Sequence, residues 1–176
     1  DGVNTLQGSA TLGLEIINQM KNINTKIDNV LISVGGGGLI SGVGSALKQF
    51  FPNIKIYGVE PDKAKGITES LKIGAPLDKV EINSIADSLC APLHMPYSFN
   101  VAKNVIEQMI NVSDKEMIDF MLYAYINLKL LLEPACVAGF AALKKLNTSK
   151  FKGQNTLLIL CGSNIDYKSW NKLVKN

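Results

Sequence analysis

Residues 31–44, LISVGGGGLISGVG, set the consecutive glycines Gly35, Gly36, Gly37 and Gly38 between a β-prone run and a helix-like segment. Glycine has no Cβ and reaches positive φ freely, so such a run can turn several peptide N–H groups toward one point. At a helix start, where free amides carry partial positive charge, that nest binds an anionic oxygen cluster, phosphate above all. The run lacks the Gly-Lys-Ser/Thr ending of a P-loop. G-x-G-x-x-G also fits no frame, because the third glycine falls at Ser41 counting from Gly36 and at Ile40 counting from Gly35. A nucleotide reading rests on Glu60 alone, an acidic residue ending the next strand at about the ribose-binding distance. A glycine-rich turn that lets strand and helix pack tightly is the other alternative.

A second place with chemical character is Cys161-Gly162-Ser163-Asn164, which follows the apolar run LLIL, and a third is Glu133 just before Pro134. A thiol is a weak hydrogen-bonding group, and a buried structural cysteine is the plain alternative for Cys161. Glu133 could cap the helix that follows it. His94, the single histidine, lies in a proline-rich loop without a matching partner and reads as a surface or packing residue. The three cysteines, Cys90, Cys136 and Cys161, have no C-x-x-C spacing, so neither a zinc site nor a disulfide framework is indicated.

The elements that must position these residues follow from periodicity. Ser9 is a candidate cap for a helix to about Lys21, given the spacing of Leu12, Ile16, Ile17 and Met20. Residues 29–34 form a buried strand, LISGVGSALKQFF a helix stopped near Pro52, and residues 54–60 a second strand. A short helix ends at Gly74, and CAPLHMPYS has too many turn residues for a regular element. Ser98 opens a helix to Met109, and INVS is a short strand. Ser113 with Glu116 makes a capping box for a helix to about Leu130. A helix over Cys136–Leu146, a central buried strand in NTLLILCG and a last helix with Tyr167, Trp170 and Leu173 on one side complete the chain. The order predicts an α/β fold: a layered, mostly parallel sheet with helices on both faces, and sites at the carboxyl ends of its strands. Two such ends stand out, SVGGGGL and LILCGSN.

Composition narrows the function. The chain has 176 residues, 47% hydrophobic and 19% charged, as an ordinary globular domain does. Its net charge of +3 is scattered, so neither a nucleic-acid partner nor a membrane surface is expected. No segment approaches the ~18 apolar residues of a membrane span, and the start lacks the pattern of an export signal. Widely spaced cysteines fit a reducing, cytoplasmic setting.

A compact nest without a cation beside it suits a phosphate monoester, such as that of pyridoxal 5'-phosphate. At this point SVGGGGLISG, IYGVEP, EPA and LILCGSNID together resemble the C-terminal part of a fold-type II pyridoxal-phosphate enzyme. The resemblance is to the threonine/serine dehydratase and serine racemase group, and LQGSATLGLEI resembles the stretch with which those enzymes re-enter their large domain. It implies a phosphate cradle made by the amides of Gly35, Gly36, Gly37, Gly38 and Leu39. It sets Cys161 beside the pyridine nitrogen, with Gly162 giving the backbone room to approach the ring and Glu133 near it. Ser163 stands where a second glycine is usual, and Asn164 supports the loop. Glu60 and the Ala64 carbonyl fall where some members bind a divalent cation. Gly66 replaces the third acidic ligand and Lys63 and Lys65 are adjacent, so no metal is expected.

Two family features do not occur: the S-x-K-x-R-G-like segment that carries the Schiff-base lysine, and the S-x-G-N-H-like loop of a small second domain. The expectation is therefore a single domain over residues 1–176, the C-terminal portion of the large domain, inactive by itself. It would expose apolar surface, covered by a second copy or by the missing N-terminal half. The resemblance implies an ammonia-lyase that turns L-threonine or L-serine into a 2-oxo acid and ammonia. The lack of a regulatory domain after Asn176 points to the short catabolic kind. Serine racemase is the rival within the same chemistry, and a non-catalytic binding or interaction protein is the rival of another class.

Overall fold

The computed structural model describes residues 2–146 and 148–175. Its sheet consists of β1 (Asn29–Ser33), β2 (Lys55–Pro61), β3 (Gln108–Val112) and β4 (Thr156–Leu158), all parallel and ordered β3-β2-β1-β4. Leu31 of β1 lies between Tyr57 of β2 and Leu158 of β4, which fixes the register at the centre. Every residue of β1 is buried, because helices cover both faces of the sheet and leave the strand no polar side.

The pleat divides the core in two. Val30, Ile32 and Ile56 point to one face, where they pack with Ile16 and Ile17 of α1 (Val3–Asn22), Val43 and Leu47 of α2 (Gly38–Phe50), Ile67 of α3 (Gly66–Ile73) and Phe99 of α4 (Pro96–Val105). Leu31, Tyr57 and Val59 point to the other, against Met117 and Met121 of α5 (Asp114–Tyr123), Val137 and Ala141 of α6 (Pro134–Lys145) and Trp170 of α7 (Tyr167–Lys175). Each fully buried aliphatic side chain contributes about 2 kcal/mol by burial, so the faces hold the strand ends firmly in place. Helices α1 and α2 touch through small residues: a Cβ on Gly13 would stand 2.7 Å from Ala46 Cβ, and one on Gly42 would run into the Leu6 carbonyl oxygen.

Several boundaries differ from the sequence expectation. Helix α1 begins at Val3, and Ser9 sits inside it with Oγ donating to the Thr5 carbonyl (3.0 Å); the exposed first turn gave no apolar period to read. Helix α4 starts at Pro96, two residues before Ser98, and ends at Val105, because residues 108–112 join the sheet as β3. Helix α5 has the expected capping box, Ser113 with Glu116, but after Tyr123 it widens into a π-helical turn over Ala124–Leu128 that closes on Lys129 at φ 60°. The strand in NTLLILCG is neither central nor fully buried. It is a half-buried three-residue edge strand, and among the described residues nothing pairs with its outer side. Trp170 is buried as expected, but Tyr167 is 63% exposed. No helix among the described residues is long and apolar enough to cross a membrane.

Candidate functional site

Beyond the carboxyl ends of β1 and β4 lies a cavity of about 420 Å³ lined by Ser33 to Ile40, Ser88, Leu89, Glu133, Ala135, Cys161, Gly162 and Asn164. Gly35, Gly36, Gly37, Gly38, Leu39, Glu133, Cys161 and Gly162, separate in sequence, all stand on its wall. Two further cavities of about 290 and 380 Å³ open at the amino ends of the strands, around Asn29, Lys55 and Gln154. They share no residue with the first.

The glycines have distinct structural reasons. A Cβ on Gly35 would lie 2.9 Å from the Ser88 carbonyl oxygen and 3.2 Å from Leu89 Cα, so a side chain would push the 87–90 segment away. Gly37, which precedes α2, holds φ +87°, a left-handed conformation that strains any residue with a Cβ. A Cβ on Gly36 would meet nothing within 4 Å, and one on Gly38 only Thr5 Cγ2 at 3.4 Å. Packing therefore accounts for Gly35 and backbone conformation for Gly37, but neither accounts for Gly36, which faces open space in the cavity. Among the described residues no acceptor takes the amides of residues 35–40, while Ser41 N–H is the first to bond back, to the Gly37 carbonyl (3.0 Å). A row of free amides at the start of α2 is an anion-binding arrangement.

The opposite wall is the first turn of α6 and the loop after β4. Ser33 Oγ donates to the Ala135 carbonyl (2.9 Å) and ties the end of β1 to the start of α6. Glu133 is the N-cap residue by position, but its side chain makes no capping hydrogen bond; it lies against Gly162, where a Cβ would run into Glu133 Oε1. Cys161 is exposed at the cavity, whereas Cys136, one helical turn beyond Glu133, is buried behind it. The neighbouring Cys161 thiol, with the amides of Gly162 and Cys161, draws the Cys136 pKa down to about 7 against burial. Cys136 beside it, reinforced by burial, pushes the Cys161 thiol up.

Glu60 does not face this cavity. It is 1% exposed and accepts from the amides of Ile67 (2.7 Å) and Thr68 (2.9 Å) and from Thr68 Oγ1 (2.7 Å), satisfying the start of α3. Burial raises its pKa to about 7 against the pull of those donors. That role leaves no support for the ribose reading. His94 is buried under the 75–93 segment, with its ring so close to Gly66 that a Cβ there would collide with Nε2; burial lowers its pKa, and Nδ1 has no partner. Among the described residues, no group of three or more His, Cys, Asp or Glu gathers around one point. Ser88 and Leu89 form a wall that the sequence did not suggest, since they carry no motif and reach the loop only through the fold.

The family model for pyridoxal-phosphate dependent enzymes matches residues 2–162. The chain is 36% identical to the phenylserine dehydratase of Ralstonia pickettii, over 94% of this chain and 50% of that protein. To the catabolic L-threonine dehydratase of Staphylococcus aureus it is 32% identical, over 92% of this chain and 46% of that one. The solved structure of maize serine racemase superposes with a TM-score of 0.85 at 30% identity, covering 99% of this chain and 53% of that chain. The chain thus spans about half the length of the curated relatives it matches.

Proposed function

The chain belongs to the pyridoxal-phosphate dependent enzyme family, and from that membership we propose that it is the cofactor-holding part of an ammonia-lyase that dehydrates a small hydroxy amino acid, L-threonine or L-serine, to a 2-oxo acid and ammonia. One observation carries the proposal: the free amides of the glycine loop and the exposed thiol of Cys161 line a single cavity, although the sequence separates them widely. The dehydratase names of the relatives support the choice of reaction.

The residues present fit the cofactor. A volume of about 420 Å³ lies within the range of small-ligand sites. The amides of residues 35–39 are donors without acceptors, as a phosphate monoester requires, and Gly36 leaves open the space that a Cβ would fill. Cys161 would meet the ring nitrogen with a thiol, too weak an acid to protonate it fully. Bound pyridoxal phosphate supplies an electron sink for the charge left when an amino acid loses its α-proton. The chain's own part is to orient. The loop amides anchor one end of the ligand, Gly162 lets the main chain lie flat against Glu133, and Asn164 lines the same rim. No lysine here lies in an S-x-K-x-R-G-like context, so the amine that bonds the cofactor and moves the α-proton is assigned to the remaining half of the fold.

The exposed surface fits a chain that is covered by something else. Leu122, Tyr123, Tyr125, Ile126, Leu128 and Leu130 are each 40–53% exposed, and Leu160 beside the β4 edge is 39% exposed. A second copy or the N-terminal half would cover them. Three free cysteines among the described residues fit a reducing, cytoplasmic setting.

The test is to join the chain to the N-terminal half of the Ralstonia dehydratase and assay L-threonine and L-serine. Formation of a 2-oxo acid with ammonia supports the proposal, and D-serine as the only product from L-serine favours the racemase, to which the maize structure lends weight. For this chain alone, saturable binding of pyridoxamine 5'-phosphate is expected. A chain that binds none is a non-catalytic relative, and the proposal fails.

A further inference from the structure

The cavity of about 380 Å³ at the amino ends of the strands shares no residue with the glycine-loop cavity. It lies at the opposite end of β1, whose Asn29 and Ser33 stand about 13 Å apart. The parallel register builds its floor. Residues paired across neighbouring strands project to the same side, so Asn29 with Lys55, and Tyr57 with Gln108, all stand on the face that carries α6. Leu146, just after α6, and Phe151 close the cavity over. Asn29 is fully buried on that floor: Nδ2 donates to Gln154 Oε1 (2.8 Å) and Thr156 Oγ1 (3.4 Å), while Oδ1 has no partner. A buried acceptor in this state calls for a donor that the described residues do not supply. The Tyr57 hydroxyl likewise makes no hydrogen bond among the described residues, although the residue is only 7% exposed and its ring packs edge-on against Phe151 at 5.7 Å. Charge at the cavity is balanced but unpaired. Lys145 is committed to Glu116 (2.9 Å) and to the Asn111 carbonyl (2.8 Å). Among the described residues the side chains of Lys55 and Glu107 make neither ion pair nor hydrogen bond, which leaves one cation and one anion on the wall.

We infer that this cavity binds a free α-amino acid with an aliphatic side chain, held as a zwitterion. A ligand of one charge alone would face a like charge at either Lys55 or Glu107, whereas a zwitterion answers both. Its ammonium group supplies the donor that Asn29 Oδ1 lacks and carries the charge opposite to Glu107. Its carboxylate answers Lys55 and accepts from the Tyr57 hydroxyl, which remains a donor because burial, and then the Glu107 charge, raises its pKa. The rings of Tyr57 and Phe151 and the side chain of Leu146 offer apolar wall to a short hydrocarbon chain, and the volume lies within the range of small-ligand sites. The site uses no residue of the glycine loop and does not rest on the proposed function.

The experiment titrates the chain with L-leucine and follows backbone and side-chain amide NMR resonances. Two probes each lack one charge: leucinamide has no carboxylate and 4-methylpentanoate has no amine. L-leucine should move the Asn29 side-chain amide, Tyr57, Gln108 and Gln154 on one saturable isotherm, and each single-charge probe should bind at least ~10-fold more weakly. Lys55→Gln and Glu107→Gln, both at exposed positions that leave the core intact, should each weaken L-leucine about 10-fold. Saturating pyridoxamine 5'-phosphate should leave the L-leucine isotherm unchanged. No saturable shift at Asn29, or a single-charge probe that binds as tightly as L-leucine, overturns the inference. So does displacement of L-leucine by pyridoxamine 5'-phosphate, which would place the amino acid in the glycine-loop cavity instead.

Discussion

Replacing Gly36 and Gly37 one at a time separates ligand binding from backbone conformation at adjacent positions. Gly37 holds φ +87°, and the nearest atoms to a Cβ there, Ile67 Cδ1 at 3.5 Å and Ser98 Cβ at 3.8 Å, are at ordinary contact distance. Gly37→Ala therefore pays only left-handed strain, about 1–2 kcal/mol. For a domain of this size that lowers the melting temperature by roughly 2–8 °C. Gly36 has no positive φ and nothing within 4 Å of its Cβ position, so Gly36→Ala should change stability by no more than about 0.5 kcal/mol. Its methyl group instead enters the space assigned to phosphate. A charge-assisted hydrogen bond is worth about 1.5–3 kcal/mol, so displacing the anion from one amide weakens binding roughly 10- to 150-fold. Circular dichroism melts and calorimetric titration with pyridoxamine 5'-phosphate read the two effects separately. If Gly36→Ala binds as tightly as wild type, or melts as early as Gly37→Ala, the loop serves packing and the cradle argument is wrong.

Other outcomes follow from the same structure. Gly42→Ala places a Cβ against the Leu6 carbonyl oxygen and 2.8 Å from Ala10 N, where backbone must yield, so it should cost about 3 kcal/mol or more in urea denaturation; a loss under 1 kcal/mol contradicts the tight α1–α2 crossing. Glu60, raised to about 7 from 4.5, keeps its proton in the folded state where the unfolded chain has lost it. Its contribution is whole below about pH 4.5 and falls as pH rises to about 7, by about 3 kcal/mol in all. The wild-type stability minus that of Glu60→Gln should decline across that window, and a flat difference would sink the assignment. Buried His94 has the opposite sign: its depressed pKa stabilises the fold above about pH 6.5 and that contribution is lost on acidification, so His94→Gln should flatten the acid limb of the stability profile.

The parts of the site legible in the sequence are those whose physics is local. Gly35–Gly38 break both strand and helix propensity at one point, which no ordinary turn requires, and Ser113 with Glu116 declares a helix start within four residues. Periodicity gave β1, β2 and α2 because each packs one chemical pattern against a continuous core. What escaped depends on distant partners. The β4 segment has the composition of a central strand, and only the sheet order makes it an edge. Glu60 has the position of a ribose or metal ligand, and only the arrival of α3 shows its carboxylate satisfied by Ile67 and Thr68. Glu133 and Cys161 meet at one cavity because the loop after β4 folds over the start of α6, and the Ser88 wall arises because the 87–90 segment crosses Gly35.

The most direct measurement is an amide NMR titration of the chain with pyridoxamine 5'-phosphate. Resonances of Gly35 to Leu39 should move on the same saturable isotherm as those of Cys161 and Gly162, with pyridoxamine lacking the phosphate producing neither set at equal concentration. Shifts confined to Asn29, Lys55 and Gln154 at the amino ends of the strands, or glycine-loop shifts without any at Cys161, would contradict a single ligand held between the two walls.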